Sequence, residues 1–200
     1  MLIKELKPLT LASLSPRRLW LLKSLGLSPL LIPKAYAHED NRGTNLAEIA
    51  MHNAQLKLLA AAAHHHGWLI AADTLVGFRG HVLGKPHDAT EAKAMLQLLS
   101  GQTHQVVTAY SLGMGQESKI QLTRAVQSEV TFRKLPASSI DAYVRTGEPL
   151  DKAGSYGMQG AGSAFIEKIR GSPSNVMGLP LMETMMDLVR LQIACFAGPN

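Results

Sequence analysis

The sequence predicts an α/β protein, and three observations carry that expectation. Apolar runs of strand length recur at residues 9–12, 69–72, 105–113 and 119–132, the last alternating Ile120, Leu122, Val126, Val130 and Phe132 with polar residues. Helical stripes separate them, through Leu46, Ile49, Ala50 and Ala54, and again through Ala92, Met95, Leu96 and Leu99. With 200 residues, 46% of them apolar and 18% charged, the chain can bury one core, and residues 1–200 are expected to form a single domain of two lobes.

Taken in order, residues 9–12 form a short strand that runs into Ser13-Leu14-Ser15-Pro16-Arg17-Arg18. Ser15 suits a helix N-cap and Pro16 a first turn, so both arginines enter that turn, where backbone N–H groups also point outward. Two readings stand: an anion cradle, or a solvated first turn. The helix buries Leu21, Leu22 and Leu25 and stops at Gly26. Residues 33–44 read as a polar loop. Asn45 and Glu48 then have capping-box spacing for a helix that carries Asn53 on its apolar face and runs to His64-His65-His66. Consecutive helical residues point about 100° apart, so the three histidines read as a polar helix end and not as a metal site.

Residues 68–86, WLIAADTLVGFRGHVLGKP, organise the chain. An apolar strand delivers one carboxylate, Asp73, and resumes at Leu75-Val76. A turn at Gly77 to Gly80 leads to a return strand ending in Gly84-Lys85-Pro86. An acid on a buried strand and a lysine at the end of its partner make a site-like arrangement. Asp88 and Glu91 start the next helix, which Gly101 ends. Two long strands follow as an antiparallel pair, then a short helix opened by Ser138 and Asp141 and stopped at Gly147. The glycine-dense stretch 148–162 carries Asp151, Lys152 and Gln159 and reads either as a linker or as a site loop. A strand over 163–169, a turn over 171–175 and a closing helix over 181–192 complete the chain. Met182, Met185, Met186 and Val189 of that helix are expected in the core.

Charge adds a hint about partners. The net charge is +5, and six basic residues up to His38 face Glu5 alone, which suits an anionic partner such as a phosphate-bearing small molecule, nucleic acid or a membrane surface. Only 5% of residues are aromatic, which counts against single-stranded nucleic acid stacked on rings. The single cysteine, Cys195, excludes an internal disulfide and suits a reducing, cytoplasmic setting. Residues 19–37 superficially resemble a secretory signal, but Lys23, Gly26 and Pro29 interrupt the apolar run, and a spanning helix needs about 20 apolar residues. No membrane association is expected.

In order, the segments LASLSPRR, AADTLV, LGKP, LSGQTHQVVT, VTFR, GEPLDKAGSYGMQG and NVMGLPL closely resemble the Maf family of nucleoside triphosphate pyrophosphatases, from Leu11 to about Leu188. The ADT and DKAGSYGMQG wording is similar to the branch acting on dTTP and UTP. This resemblance implies an elongated, mixed, curved sheet flanked by helices, with a cleft between two lobes. It also implies hydrolysis of a nucleoside triphosphate to monophosphate and pyrophosphate with a divalent metal, magnesium or manganese, and a homodimer. By resemblance Asp73 is the proton acceptor and a metal ligand together with Glu39, with Asp40 as the alternative. Lys85 is catalytic, Ser13, Arg17 and Arg18 bind phosphates, and Arg17, Thr74 and Gln159 set specificity. Asp151 and Lys152 match the DKAG motif, as a bracing ion pair or as a substrate contact.

Two places depart from the family pattern. His38-Glu39-Asp40 stands where the family has a pair of acids, and Asn53 stands where Ala-x-x-Lys-Ala would place a lysine, with Lys57 one turn later. Asn53 and the basic N-terminal part motivate an alternative reading, a nucleotide- or nucleic-acid-binding regulator related to septum formation with weakened catalysis.

Overall fold

The computed structural model describes residues 2–32, 45–115 and 119–198. Strand β1 (Ile3–Glu5) precedes β2 (Leu9–Leu11), whose side chains are all buried. Helix α1 (Pro16–Leu25) buries Leu21, Leu22 and Leu25 and ends at Gly26, whose φ of 101° suits a residue without a Cβ. Strand β3 (Leu30–Leu31) follows, so residues 19–31 of the signal-like stretch fold as helix, turn and strand. Among the described residues no helix is long and apolar enough to cross a membrane.

Helix α2 (Leu46–Ala62) is capped as expected by Asn45, whose Oδ1 accepts from the amides of Ala47 and Glu48. Strand β4 (Trp68–Phe78) passes unbroken through Asp73 and takes in two residues of the expected turn. The reversal is tighter, at Arg79 and Gly80, both at positive φ, and leads into β5 (His81–Leu83). Helix α3 (Ala89–Leu99) starts on Asp88, which accepts from the Glu91 amide, while the Glu91 carboxylate takes the His87 amide. Strands β6 (Thr103–Met114) and β7 (Lys119–Phe132) form the expected long antiparallel pair.

Helix α4 (Ala137–Arg145) has Pro136 at its cap position, whose side chain cannot accept a hydrogen bond, so Ser138 and Asp141 lie inside the helix and Asp141 pairs with Lys93 of α3 (2.7 Å). Residues 161–165 form a tight 3₁₀ turn, so strand β8 (Ile166–Arg170) begins three residues later than expected. The expected turn over 171–175 is in fact the start of a short helix, α5 (Pro173–Met177), with Ser172 capping the Asn175 amide. Helix α6 (Leu181–Arg190) and strand β9 (Ala194–Phe196) end the described chain, and β9 pairs with β1.

The main sheet runs β3-β2-β4-β6-β7-β8, with β5 added to the far end of β4. Strand β2 is parallel to β3 and β4, and the other pairs are antiparallel, so the sheet is mixed as expected. One face carries two apolar clusters: Leu21, Leu22, Ile70, Tyr110 and Leu188 at one end, and Val76, Leu96, Phe132, Ile140 and Phe165 at the other. Helix α2 covers the opposite face through Ile49, Ala50, Ala54 and Leu58. Along one edge of β4, β2 pairs with residues 68–70 and β5 with residues 76–78. Between them lies a gap in the edge at residues 71–75, among the described residues, and it opens both faces of the sheet to one space.

The closing helix turns differently from its methionine pattern. Thr184, Met185, Asp187 and Leu188 are buried, whereas Met182 and Met186 are 64% and 48% exposed. Asp187 decides the rotation: its carboxylate takes Arg124 Nε and Nη2 (2.7 and 2.9 Å) and the Tyr110 hydroxyl (2.5 Å) from the sheet below. Burial opposes the charged form, yet these donors hold the Asp187 carboxyl below the usual range. Arg124→Met leaves that carboxylate under-paired and should cost about 2–4 kcal/mol in urea unfolding, less than a fully buried pair because Arg124 is partly open to water. Removing both charges together should cost less than the single change.

His104 sits edge-on to Phe132 and Tyr156, its Nε2 2.7 Å from the Tyr156 hydroxyl and its buried Nδ1 without a partner among the described residues. Burial lowers its pKa from 6.5 to about 4. The unfolded chain therefore takes up this proton first. The stability tied to the neutral ring is complete above pH 6.5 and is lost as pH falls towards about 4. That window is worth about 3 kcal/mol at 1.36 kcal/mol per pH unit. His104→Gln should flatten the stability curve between these values, measured by chemical unfolding at a series of pH values.

Candidate active site

The gap in the β4 edge opens onto a cleft of about 560 Å³. The β2–α1 turn walls it with Ser13, Arg17 and Arg18, α2 with Lys57, β4 with Asp73 and Thr74, and the end of β5 with Lys85. The glycine-dense segment adds Asp151, Lys152, Tyr156, Gly157 and Met158, and the end of α5 adds Met177 and Gly178. Five basic side chains thus meet two carboxylates among the described lining residues. A second hollow of about 640 Å³, around Arg79–His81 and Gln102–Gln105, carries no acid among its described residues.

Successive residues of a strand face opposite sides, so Asp73 and Thr74 leave β4 in opposite directions. Asp73 turns towards α2 and is 3% exposed. Its Oδ1 accepts from Lys57 Nζ (2.6 Å) and its Oδ2 from Asn53 Nδ2 (3.2 Å). Asn53 and Lys57 are one helical turn apart and so reach the same carboxylate from one face. Asn53 itself is wholly buried, and among the described residues the cation that lines the cleft from α2 is Lys57. Lys57, one turn after Asn53, thus brings a positive charge to the carboxylate that Asn53 also reaches.

Thr74 turns to the other face, where Arg18 Nη2 donates to its Oγ1 (3.0 Å) and Thr108 Oγ1 lies 3.0 Å away. The same guanidinium donates Nη1 to Ser13 Oγ (3.0 Å) and Nε to the Gly178 carbonyl (2.9 Å). Arg18 is thus a clamp that ties the opening turn to β4 and to the end of α5. Arg17 lies in the same turn, 3.7 Å from Asp151. Asp151 also receives Lys152 Nζ (2.6 Å). Burial would raise the Asp151 carboxyl, but Lys152 and Arg17 outweigh it and hold it below the usual range.

The glycine-dense segment is a braced loop and not a linker. Glu148 accepts from the Tyr143 hydroxyl (2.9 Å) and from the amides of Ala161 (3.0 Å) and Gly162 (3.4 Å), and the Gly157 amide donates to Tyr143 Oη (3.2 Å). Gly154 has a φ of 68°, and a Cβ on Gly157 would come within 2.7 Å of the Lys152 stem. The chain therefore passes close to the cleft only with small residues there. Gln159, half-buried, follows Met158 and is not itself among the cleft-lining residues. Tyr156 stays a neutral phenol, since burial pushes its pKa above the ordinary value.

Glu39 and Asp40 lie outside the described residues. Among the described residues no group of three or more His, Cys, Asp or Glu gathers as a protein cage for a metal. Magnesium commonly takes only one or two carboxylates and completes its shell with water and substrate phosphates. The hard oxygens of Asp73, at a cleft rich in cations, fit that mode. Sequence reasoning missed Thr108, Tyr156 and Asn175 as site-supporting residues. Thr108 and Asn175 lie inside the segments LSGQTHQVVT and NVMGLPL, where nothing in the spacing marks a role for either residue.

A mixed sheet whose gapped edge opens on a basic cleft, with a lysine-paired acid at its floor, defines an α/β protein suited to a phosphate-rich ligand. The chain belongs to the Maf-like protein family, whose profile matches residues 8–191. It is 42% identical over 184 residues to a dTTP/UTP pyrophosphatase of Geobacter sulfurreducens, covering 92% of this chain and 96% of that one. It is 46% identical over 180 residues to a dTTP/UTP pyrophosphatase of Anaeromyxobacter dehalogenans, covering 88% and 90%. Among solved structures, a HAM1 protein from Coxiella burnetii shares the fold, with a TM-score of 0.52 at 14% identity over 92% of this chain and 98% of that one.

Proposed function

We propose that this chain hydrolyses nucleoside triphosphates to the monophosphate and pyrophosphate, with dTTP and UTP as preferred substrates. The observation that carries the proposal is the placement of Asp73, Lys57, Arg17, Arg18 and Lys85 around one cleft in a chain 42% and 46% identical to dTTP/UTP pyrophosphatases. Water attacks the α-phosphorus and its proton passes to an Asp73 oxygen. The bond to the bridging oxygen breaks and pyrophosphate leaves with that electron pair. Arg17, Lys57 and Lys85 offset the charge that builds on the phosphates, Ser13 donates to a phosphate oxygen, and Arg18 holds the turn in place. A magnesium or manganese ion held by Asp73 and Glu39 would polarise the phosphoryl oxygens.

Arg17, Thr74 and Gln159 are assigned to substrate choice, with the amide of Gln159 able both to donate and to accept. Asp151 and Lys152 brace the loop, an assignment supported by their 2.6 Å ion pair and by Arg17 beside Asp151. We place the enzyme in the cytoplasm, on its single cysteine and small nucleotide substrates. The homodimer implied by the family is tested by light scattering. A regulatory role with weakened catalysis is the alternative, resting on Asn53 and the basic N-terminal part; Lys57, 2.6 Å from Asp73, favours the enzyme reading.

The test is incubation with dTTP, UTP, dCTP, GTP and 7-methyl-GTP with either metal, measuring phosphate and pyrophosphate separately. Pyrophosphate from dTTP and UTP is expected. Pyrophosphate from none of the five sinks the proposal.

A further inference from the structure

We infer that Thr74 reads a hydrogen-bond donor on the bound nucleotide, the imide N–H of a uracil or thymine ring, because a buried ladder has already committed the only proton of its hydroxyl. The inference rests on the pyrimidine triphosphate reading above and assigns a positioning role to Thr108 and Asn175. The ladder starts at the Asn175 backbone carbonyl, which can only accept, so Thr108 Oγ1, 2.8 Å away, donates its proton there. Thr108 is then an acceptor towards Thr74, and the 3.0 Å contact between the two hydroxyls requires Thr74 to be the donor. Arg18 Nη2 has no acceptor capacity and donates to Thr74 Oγ1 from the other side (3.0 Å). Thr74 therefore keeps one lone pair and no proton to offer at the wall of the cleft.

The far end of the ladder is fixed. Asn175 Oδ1 accepts from the Thr108 amide (3.1 Å), and its Nδ2 donates to the Val106 carbonyl (3.1 Å) and to Ser128 Oγ (2.9 Å). Thr108 and Asn175 are fully buried. Water therefore does not reach in to let Thr108 turn its proton back, and the polarity holds at Thr74. Uracil and thymine present an N–H at ring position three, whereas cytosine presents a lone pair there. Facing Thr74, the first makes a hydrogen bond and the second sets lone pair against lone pair. Gln159 can turn either way, so the fixed sign comes from Thr74.

The test measures affinity for the α,β-methylene analogues of dTTP and dCTP by titration calorimetry, which needs no turnover. The wild-type protein should prefer the thymine analogue by about tenfold, one hydrogen bond's worth. Thr108→Val removes the acceptor, lets the Thr74 hydroxyl rotate, and should erase that preference mainly by tightening the cytosine analogue. Thr108→Ser keeps the ladder and should keep the ratio. A structural role alone weakens both analogues in parallel and leaves the ratio intact, which overturns the inference, as does equal wild-type affinity for the two. Should the valine variant not fold, Thr108→Ala removes the same acceptor, and the wild-type comparison stands by itself. An intact ratio without pyrophosphate release sinks the proposed function and leaves this inference standing. Binding of neither analogue overturns both.

Discussion

Asp73→Asn should lower the turnover of dTTP by about a thousandfold, within the range for loss of a positioned base. Asparagine keeps the size of the side chain and a carbonyl that can still accept from Asn53 or Lys57. On the proposed mechanism it would not take the proton of the attacking water, and it would offer a divalent ion a neutral oxygen in place of an anion. Because Asp73 sits on a continuous strand with ten Cα partners on β6, the substitution leaves the sheet pairing intact. Lys57, its side chain 15% exposed, loses this counter-ion, so a lowered melting temperature with the fold retained is expected beside the lost rate. Steady-state pyrophosphate release, with thermal melts as the control, checks this result, and an undiminished rate refutes the assignment of Asp73.

Lys57→Met should lower kcat/KM for dTTP by about a hundredfold, with both a raised KM and a lowered kcat. The methionine keeps most of the apolar stem, so packing along α2 changes little. What is lost is the ammonium 2.6 Å from Asp73, the cation that enters the cleft from the side of α2. Lys57→Arg should retain more activity than the methionine variant. Moving the charge one turn back, in Asn53→Lys with Lys57→Asn, should recover about tenfold over Lys57→Asn alone, because positions 53 and 57 both reach Asp73. Equal activity of Lys57→Met and wild type would show that the charge at this position is dispensable.

Much of this organisation was legible in the sequence, and its misses have physical causes. Capping residues and apolar stripes located α1, α2 and α3, since Asn45, Asp88, Pro16 and Gly26 act within a few residues of themselves. Strands β1 and β9 went unseen because their pairing joins residues near opposite ends of the chain. Helix α5 was too short for a stripe, although Ser172, Pro173 and Gly178 mark its ends. The rotation of α6 follows from Asp187, a core position held by Arg124 and Tyr110 from distant strands, so a hydrophobic pattern placed Met182 and Met186 inward wrongly.

The site divides in the same way. Asp73 stood out as an acid on an apolar strand, and Lys85 as a lysine at the end of its hairpin. The gap that brings both faces of β4 to one ligand was not legible, since it depends on where β2 stops pairing and where β5 begins. Thr108 and Asn175 looked like ordinary polar residues, because their partners lie 67 positions apart in the chain.

On the proposed mechanism, Asp73 directs water onto the α-phosphorus of a nucleoside triphosphate held in this cleft. Hydrolysis of dTTP in water enriched in heavy oxygen, followed by mass spectrometry of both products, tests it most directly. One heavy oxygen in the thymidine monophosphate and none in the pyrophosphate is the expected result. Heavy oxygen in pyrophosphate, or in orthophosphate released beside a diphosphate, would contradict it.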